Sequence, residues 1–218
     1  MKEMLVIVPS RNRSKNIQDF YDLFIANSEI SDLCIGIDED ESEDYPKLNN
    51  VIYDVNPNMK LCPKLNLISS KYIDQYKYIC FLGDDVRIKT KGWDSILTVP
   101  LQNKAGIAYG NDLLQGKALP TGVVISSSII KTLGYMVPPE LKHFYMDNFL
   151  LDLGNKINRI YYFDNVTLEH LHYANGKAEI DKTYMSANTA DEDFQSYTRY
   201  ISNSFSSDII KVKGILGE

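Results

Sequence analysis

Two adjacent carboxylates, Asp84 and Asp85, follow the apolar run 78–82 with only Gly83 in between. The residues of that run favour a buried strand, so the pattern delivers negative charge to the edge of a sheet. Such a pair repels itself unless a cation, a protonated neighbour or water relieves it. A hard divalent ion with oxygen ligands is one solution, and nucleotide phosphates would complete its coordination. The alternative is a solvated turn, because Asp is common in turns.

Two of the chain's three histidines, His170 and His172, form a second set of candidate ligands. If the segment is a strand, both imidazoles point to the same face of the sheet. Imidazole is a good ligand for manganese-like ions, although a lone histidine is more often a structural residue with satisfied hydrogen bonds. The pattern predicts that one or both histidines share a metal site with the acidic pair.

The elements that position these residues alternate between strands and helices. Apolar runs predict strands at 4–8, 33–37, 51–55 and 78–82, and apolar residues at helical spacing predict a helix that Ser14 can cap and another over 64–73. This alternation is typical of a doubly wound, mostly parallel sheet, in which ligands bind beyond the carboxyl ends of the strands. The fold class is therefore α/β, with a Rossmann-like sheet flanked by helices.

Polar residues follow three of the four predicted strands and should meet in one crevice. They are Ser10, Arg11, Asn12 and Arg13 after the first strand, Asp38, Glu39 and Asp40 after the second, and Asp84 and Asp85 after the fourth. An arginine suits a phosphate, Asp38 suits a base imide or ribose hydroxyl, and the acidic pair suits a cation that bridges a diphosphate. These features predict a nucleotide-diphosphate site. No P-loop and no GxGxxG motif follows the first strand, so the common phosphate-binding loops are excluded.

Composition sets the broad class. A chain of 218 residues suits one domain, and 23 basic against 29 acidic residues give a net charge of -6, which disfavours nonspecific binding to nucleic acid. Cys34, Cys62 and Cys80 lack CxxC spacing and are expected to be core thiols. Neither a signal peptide nor an apolar run of membrane-spanning length is present, which favours a cytoplasmic location.

Residues 6–13 and 81–86 resemble the opening strand and the DxD-type motif of family 2 glycosyltransferases with the GT-A fold. The resemblance implies that Asp38 contacts the nucleobase and that Asp85 is the direct metal ligand. Asp84 would contact the ribose or support that ligand. One departure is Gly83, which stands where many members of the family carry the first Asp of the motif.

The second half extends the resemblance over residues 4–185. Gly122 resembles a position behind the sugar pocket, where a glycine lets donor and backbone approach closely. Asp147 matches the general base, which takes the proton of the acceptor hydroxyl, although an Asp that opens an apolar helix also suits an N-cap. The residues implied to contact the donor are Pro9, Ser10, Arg11, Arg13, Asp38, Lys64, Asn66, Asp84, Gly122 and Lys177; the implied metal ligands are Asp85, His170 and His172.

The sequence thus predicts a glycosyltransferase that uses Mn²⁺ or Mg²⁺ and a nucleotide-diphosphate sugar, with a UDP-sugar and inversion expected. Residues 1–186 form the predicted domain, with a nucleotide-binding half (1–90) and an acceptor half (91–186), and 187–218 form a partly helical tail. The acceptor stays open between glycan, lipid, protein and modified nucleic-acid base, as does the oligomeric state. If the protein is viral, the expected location is the host cytoplasm. The alternatives are a sugar-phosphate nucleotidyltransferase and an inactive nucleotide-sugar-binding module.

Overall fold

The computed structural model describes residues 2–218, except for the side chains of Tyr184 and Ser186. Its strands are β1 (Lys2–Pro9), β2 (Ser31–Asp38), β3 (Val51–Asn56), β4 (Tyr76–Phe81), β5 (Val86–Ile88), β6 (Ile107–Asn111), β7 (Val123–Ser126) and β8 (Ile160–His170). Its α-helices are α1 (Ser14–Asn27), α2 (Leu61–Tyr72), α3 (Trp93–Thr98), α4 (Ser127–Leu133), α5 (Met146–Lys156), α6 (Lys182–Ser186), α7 (Ala190–Asn203) and α8 (Phe205–Leu216).

The strands form one sheet in the order β3-β2-β1-β4-β7-β6-β8-β5. β1 pairs in parallel with β2 and β4, and β2 pairs in parallel with β3, so the first half of the chain is the predicted parallel sheet. β7 is antiparallel to both of its neighbours, whereas β6 and β8 are parallel. The α/β architecture with a mostly parallel sheet is confirmed.

β8 connects the second half of the sheet to the acidic pair. It runs beside β6 and then pairs antiparallel with the short strand β5, where His170 lies opposite Val86. A bulge between Gly110 and Asn111 shifts the register of β6 against β8. This path brings His170 beside Asp85, which directly precedes β5.

Helices cover both faces of the sheet, and β1 shows how the two cores are divided. Leu5 and Ile7 point into a core with α2, α4, α5, α7 and α8, while Met4, Val6 and Val8 point into a second core with α1 and α3. A fully buried strand supplies apolar side chains to both faces, which explains why its sequence is continuously apolar. The three cysteines are buried free thiols in these cores, as predicted.

The segment 187–218 packs on the first of these cores. α7 contains the predicted helical residues Phe194, Tyr197, Tyr200 and Ile201. Tyr200 and Phe205 are buried against Phe149 of α5, with ring centroids 5.6 and 6.4 Å from it. The tail therefore shares its apolar core with the helix that carries Asp147.

The close approach of β6 and β8 predicts a requirement for glycine at position 110. A Cβ atom added there would lie 2.6 Å from the backbone oxygen of Val166, which cannot move without disturbing the strand. We expect Gly110→Ala to lower the free energy of unfolding by about 1–3 kcal/mol, measured by urea denaturation.

The matched control is Gly214→Ala in α8, where an added Cβ meets no atom within 4 Å. Because alanine is the better helix former, this variant should gain about 0.4–1 kcal/mol. Equal behaviour of the two variants would contradict the described packing of β6 on β8.

Candidate functional site

A cavity of about 930 Å³ opens at the carboxyl ends of β1, β2 and β4. Its lining includes many of the residues predicted from the sequence: Pro9, Ser10, Arg11, Arg13, Asp38, Lys64, Asp84, Asp85, Asp147, His170 and His172. The parallel strands explain this convergence, because their carboxyl ends meet at one edge of the sheet.

The acidic pair is buried and is held by Ser10 and Arg13. One oxygen of Asp84 accepts a hydrogen bond from Ser10 Oγ at 2.6 Å. The other accepts from Arg13 Nη1 at 3.1 Å, and the same nitrogen lies 3.0 Å from Asp85 Oδ2. Burial and the charge of Asp85 raise the pKa of Asp84 to about 6. Arg13 is thus the cation that relieves the repulsion within the pair in this structure.

Gly83 leaves room for the carboxylate of Asp85. A Cβ atom at this position would lie 2.6 Å from Asp85 Oδ1. An acidic side chain at position 83 would therefore require the side chain of Asp85 to take another rotamer. The glycine at position 83 thus fits the orientation that Asp85 has in this structure.

Arg13 also fastens the segment before α6 to the cavity. Its Nε and Nη2 atoms lie 2.6 and 3.1 Å from the two oxygens of Asp181, which is a bidentate pairing. Thr183 Oγ1, within α6, donates to the backbone oxygen of Arg11 at 2.7 Å. Ile180 before α6 and Thr183 and Met185 within it line the cavity, so 180–185 form one of its walls.

Asp38 is fully buried between two cations. Lys64 Nζ of α2 donates to one carboxylate oxygen at 2.6 Å, and Arg11 Nη1 donates to the other at 2.5 Å. α2 comes this close to β2 because Gly36 has no side chain, and a Cβ there would lie 2.5 Å from Ile68 Cδ1. The two cations balance a carboxylate that would otherwise be costly to bury.

Asp147 is the second residue of α5 and faces the cavity. The N-cap is Tyr145, in the left-handed conformation with a φ of 67°, so Asp147 is not the N-cap residue. Burial raises the pKa of Asp147 to about 7; the positive charge of His170 opposes this shift and Asp112 adds to it. A carboxylate with this pKa is suited to general-base catalysis near neutral pH.

The two histidines have different surroundings. His170 Nε2 lies 3.3 Å from Asp85 Oδ1, and its buried Nδ1 atom has no hydrogen-bond partner among the described residues. Burial lowers the pKa of His170, but the carboxylates of Asp85, Asp112 and Asp147 together outweigh that effect and the pKa is raised. His172 Nδ1 instead accepts from the backbone N–H of Ala174 at 3.1 Å. Of the two, His170 is the better placed to share an ion with Asp85.

The donor set fits a divalent ion in part. Asp85 Oδ1 and His170 Nε2 supply one oxygen and one nitrogen side by side. Within the described residues, however, no three His, Cys, Asp or Glu side chains are grouped to hold a metal. A diphosphate and water would have to complete the coordination.

Three of the residues predicted to contact the donor do not line the cavity and lie against other groups. The amide of Asn66 bonds the backbone of Met136 and Val137, Lys177 Nζ pairs with Glu169 at 2.7 Å, and a Cβ at Gly122 would lie 2.7 Å from Leu82 Cδ2. Lys64 lines the cavity and Asn66 does not, because residues two apart on a helix point about 200° away from each other. The predicted donor contacts of these three residues stay predictions.

The sequence reasoning missed several residues that shape the cavity. His143 lines it, so all three histidines of the chain lie there, and burial lowers the pKa of His143. Asp112 is buried and accepts from the amides of residues 114–116 and from the Thr121 hydroxyl, which fixes the loop that carries Leu119 and Thr121 into the lining. Nothing in the local sequence around His143 marks it, since its backbone partner Asp193 is 50 residues away. Asp112 bonds residues two to nine positions further along the chain, so a turn-forming Asp was the only local signal for it.

Known proteins were compared with this chain in sequence and in structure. No protein-family model matches it, and no curated protein matches its sequence. Its structure is similar to Staphylococcus aureus TarS 1–349 in complex with UDP, with a TM-score of 0.58 and 14% identity over 94% of this chain and 73% of that chain. The chain has the GT-A fold.

Two further solved structures share this fold. The mannosyltransferase PcManGT from Pyrobaculum calidifontis, in complex with GDP-Man and Mn²⁺, has a TM-score of 0.57 and 9% identity over 97% of this chain and 73% of that chain. A cytidylyltransferase from Leptospira borgpetersenii has a TM-score of 0.52 and 11% identity over 75% of both chains. The chain spans 36% of one TarS chain and 59% of another. No helix within residues 2–218 has the length and apolarity needed to span a membrane.

The position of Asp147 predicts a pH-dependent cost to stability. Folding raises its pKa from the usual 3.8 to about 7, so the native state loses stability as the pH rises between these values and keeps the full penalty above 7. Asp147→Asn removes the buried charge, and we expect it to raise Tm more at pH 8 than at pH 4, measured by thermal unfolding at both pH values. The same change in Tm at both would show that the carboxyl titrates normally.

Proposed function

We propose that this protein is a glycosyltransferase that moves a sugar from a nucleotide-diphosphate sugar to an acceptor hydroxyl with inversion at the anomeric carbon. The observation that carries the proposal is the placement of Asp147, with a pKa raised to about 7, in the same cavity as the acidic pair and its arginine. A base and a site for a charged leaving group are the two parts that such a transfer needs.

The basic side chains support a diphosphate donor. Arg11, Arg13 and Lys64 line the cavity at the carboxyl ends of β1 and β2, where a nucleotide binds in doubly wound sheets. Asp38, at the same edge, is fully buried with one oxygen bonded to Arg11 and the other to Lys64, so Arg11 would have to move before the base or ribose could donate to Asp38. TarS structures in complex with UDP and UDP-GlcNAc share the fold, so a UDP-sugar is the first donor to test.

Asp85 and His170 would hold a divalent ion, Mn²⁺ or Mg²⁺. When bound, such an ion supplies a Lewis acid that stabilises negative charge on a leaving diphosphate. PcManGT, which shares the fold, was solved with Mn²⁺. Arg13 lies beside the same carboxylates and would add a fixed positive charge near the diphosphate.

The reaction itself follows from the position of the base. Asp147 takes the proton of the acceptor hydroxyl as the acceptor oxygen forms a bond to the anomeric carbon. The bond from that carbon to the diphosphate oxygen breaks, and the nucleoside diphosphate leaves with the electron pair. Since only the ionised carboxylate accepts a proton, the rate should rise with pH until Asp147 is fully ionised.

A sugar-phosphate nucleotidyltransferase is the second candidate, and the similarity to a cytidylyltransferase favours it. The loop after β1 has no glycine, whereas that class typically has a glycine-rich phosphate loop at this point. The products separate the two reactions, because transfer of a sugar releases nucleoside diphosphate and nucleotidyl transfer releases pyrophosphate. Nucleotide-sugar binding without either product would indicate an inactive binding module.

Variants at Asp147 and Asp85 should separate chemistry from binding. We expect Asp147→Asn to lower the rate of nucleoside diphosphate release by about 10²–10⁴-fold while nucleotide affinity stays the same, because it removes only the base. Asp85→Ala should abolish both turnover and the Mn²⁺-dependent part of nucleotide binding. A product assay and calorimetry with UDP, each with and without Mn²⁺, measure these effects.

The control is Asp74→Ala, which removes an exposed carboxylate that pairs with Lys131 and does not line the cavity. It should leave turnover and nucleotide binding unchanged. Full activity of Asp147→Asn would show that another group is the base, and Mn²⁺-dependent binding by Asp85→Ala would place the ion elsewhere.

The pH dependence of the rate gives an independent test of the base. Because the pKa of Asp147 is raised to about 7, kcat/KM for the donor should rise about 10-fold per pH unit below pH 7 and level off above it. A steady-state series from pH 5 to pH 9 measures the profile. A rate that is already at its plateau at pH 5 would contradict the assignment.

A further inference from the structure

The backbone in front of Asp147 is held by a carboxylate from the tail. Asp193 of α7 is fully buried, and its oxygens accept hydrogen bonds from the backbone N–H groups of Lys142, His143 and Phe144 at 2.8, 3.0 and 2.9 Å. Thr189 Oγ1 donates to the same carboxylate at 2.7 Å. These contacts hold the pKa of Asp193 below its usual range despite burial, so the group is a fixed anion.

The residues that Asp193 holds lead directly into the site. His143, Phe144, Tyr145 and Asp147 all line the cavity. Tyr145 adopts a φ of 67°, a conformation that a non-glycine residue keeps only when its surroundings enforce it. Asp193 fixes three consecutive amides on the N-terminal side of this turn, and α5 begins directly after it.

α7 supports the other side of the same turn. The ring of Tyr145 stacks on Tyr197 with centroids 5.5 Å apart, and Tyr197 OH donates to Asp152 of α5 at 2.6 Å. The tail therefore contacts the segment 142–145 through Asp193 and the body of α5 through Tyr197. Asp147 lies between these two contact points along the chain.

We propose that Asp193 is a positioning residue for the general base: its buried carboxylate holds the backbone of 142–144 so that Asp147 is aimed into the cavity. This inference rests on the proposed function. It assigns a role in the reaction to a residue of the tail that does not itself contact substrate.

The chain supplies a matched control in Asp94, a carboxylate with nearly the same set of contacts. Asp94 is fully buried and accepts from the backbone N–H groups of Glu29, Ile30 and Ser95 and from the Ser31 hydroxyl. It holds the turn that enters β2 at Ser31, and the eight-residue strand places that end about 23 Å from the cavity end at Asp38. Loss of Asp94 should therefore cost stability without moving the site.

The test compares Asp193→Asn with Asp94→Asn. Asparagine keeps the size of the side chain but replaces one accepting oxygen by an N–H₂ donor, so it cannot bond all the groups that the carboxylate accepts from. We expect Asp193→Asn to lower kcat for nucleoside diphosphate release by at least about 10-fold, with the KM for the donor within about 2-fold of the wild type. Asp94→Asn should keep the wild-type kcat even if its Tm falls as far.

Hydrogen exchange supplies a readout that does not depend on turnover. In Asp193→Asn the amides of 142–147 should exchange faster, while those of β1 and β4 stay protected. In Asp94→Asn the amides of 29–31 should exchange faster and those of 142–147 should not. Unchanged exchange at 142–147 in Asp193→Asn would overturn the proposed anchoring.

The remaining outcomes are decided as follows. A wild-type kcat in Asp193→Asn, or an equal loss of kcat in Asp94→Asn, would overturn the positioning role. If Asp193→Asn does not fold, Thr189→Val is the substitute, because it removes one donor to Asp193 and keeps the charge of Asp193. A fall in kcat of more than about 2-fold at constant KM supports the proposal, and no change overturns it.

If the wild type releases no nucleoside diphosphate from any nucleotide sugar, the proposed function fails. The exchange experiment alone then decides whether Asp193 anchors the segment 142–144.

Discussion

Negative charge buried at the carboxyl ends of β2 and β4 is the constraint on which the site depends. Asp38, Asp84 and Asp85 are almost inaccessible to solvent, and a buried carboxylate is tolerated only when it is paired. Arg13, in the loop after β1, pairs with Asp84 and Asp85. Arg11 of the same loop and Lys64 of α2 pair with Asp38. A diphosphate donor would therefore enter a cavity whose charges are already desolvated and oriented, which limits the reorganisation that binding requires.

The parts of this arrangement that depend on local sequence were predictable. Continuous apolar runs located the four parallel strands, and the known geometry of such sheets placed the residues after β1, β2 and β4 together. The resemblance implied that Lys64 belongs to the site, and the structure places Lys64 in the cavity lining. The GT-A fold was likewise anticipated from the resemblance of residues 6–13 and 81–86, which are short segments of chain.

The parts that depend on distant packing were not predictable. Helical spacing places Lys64 and Asn66 on different faces of α2, but only the packing of α2 against β2 decides which face reaches the cavity. Asp181, His143 and Asp193 meet partners 50 to 168 residues away, and no periodicity or motif encodes such contacts. The steric conflict at Gly83 is of the same kind, since it depends on the rotamer of Asp85.

The anchoring of residues 142–144 by a helix of the tail has a consequence for the order in which the protein becomes competent during synthesis. Fifty residues separate His143 from Asp193, so the strands β1–β4 are synthesised well before α7 leaves the ribosome. During that interval the backbone of 142–144 would lack the carboxylate that holds it. If Asp147 is the base proposed above, the chain would acquire its chemistry last.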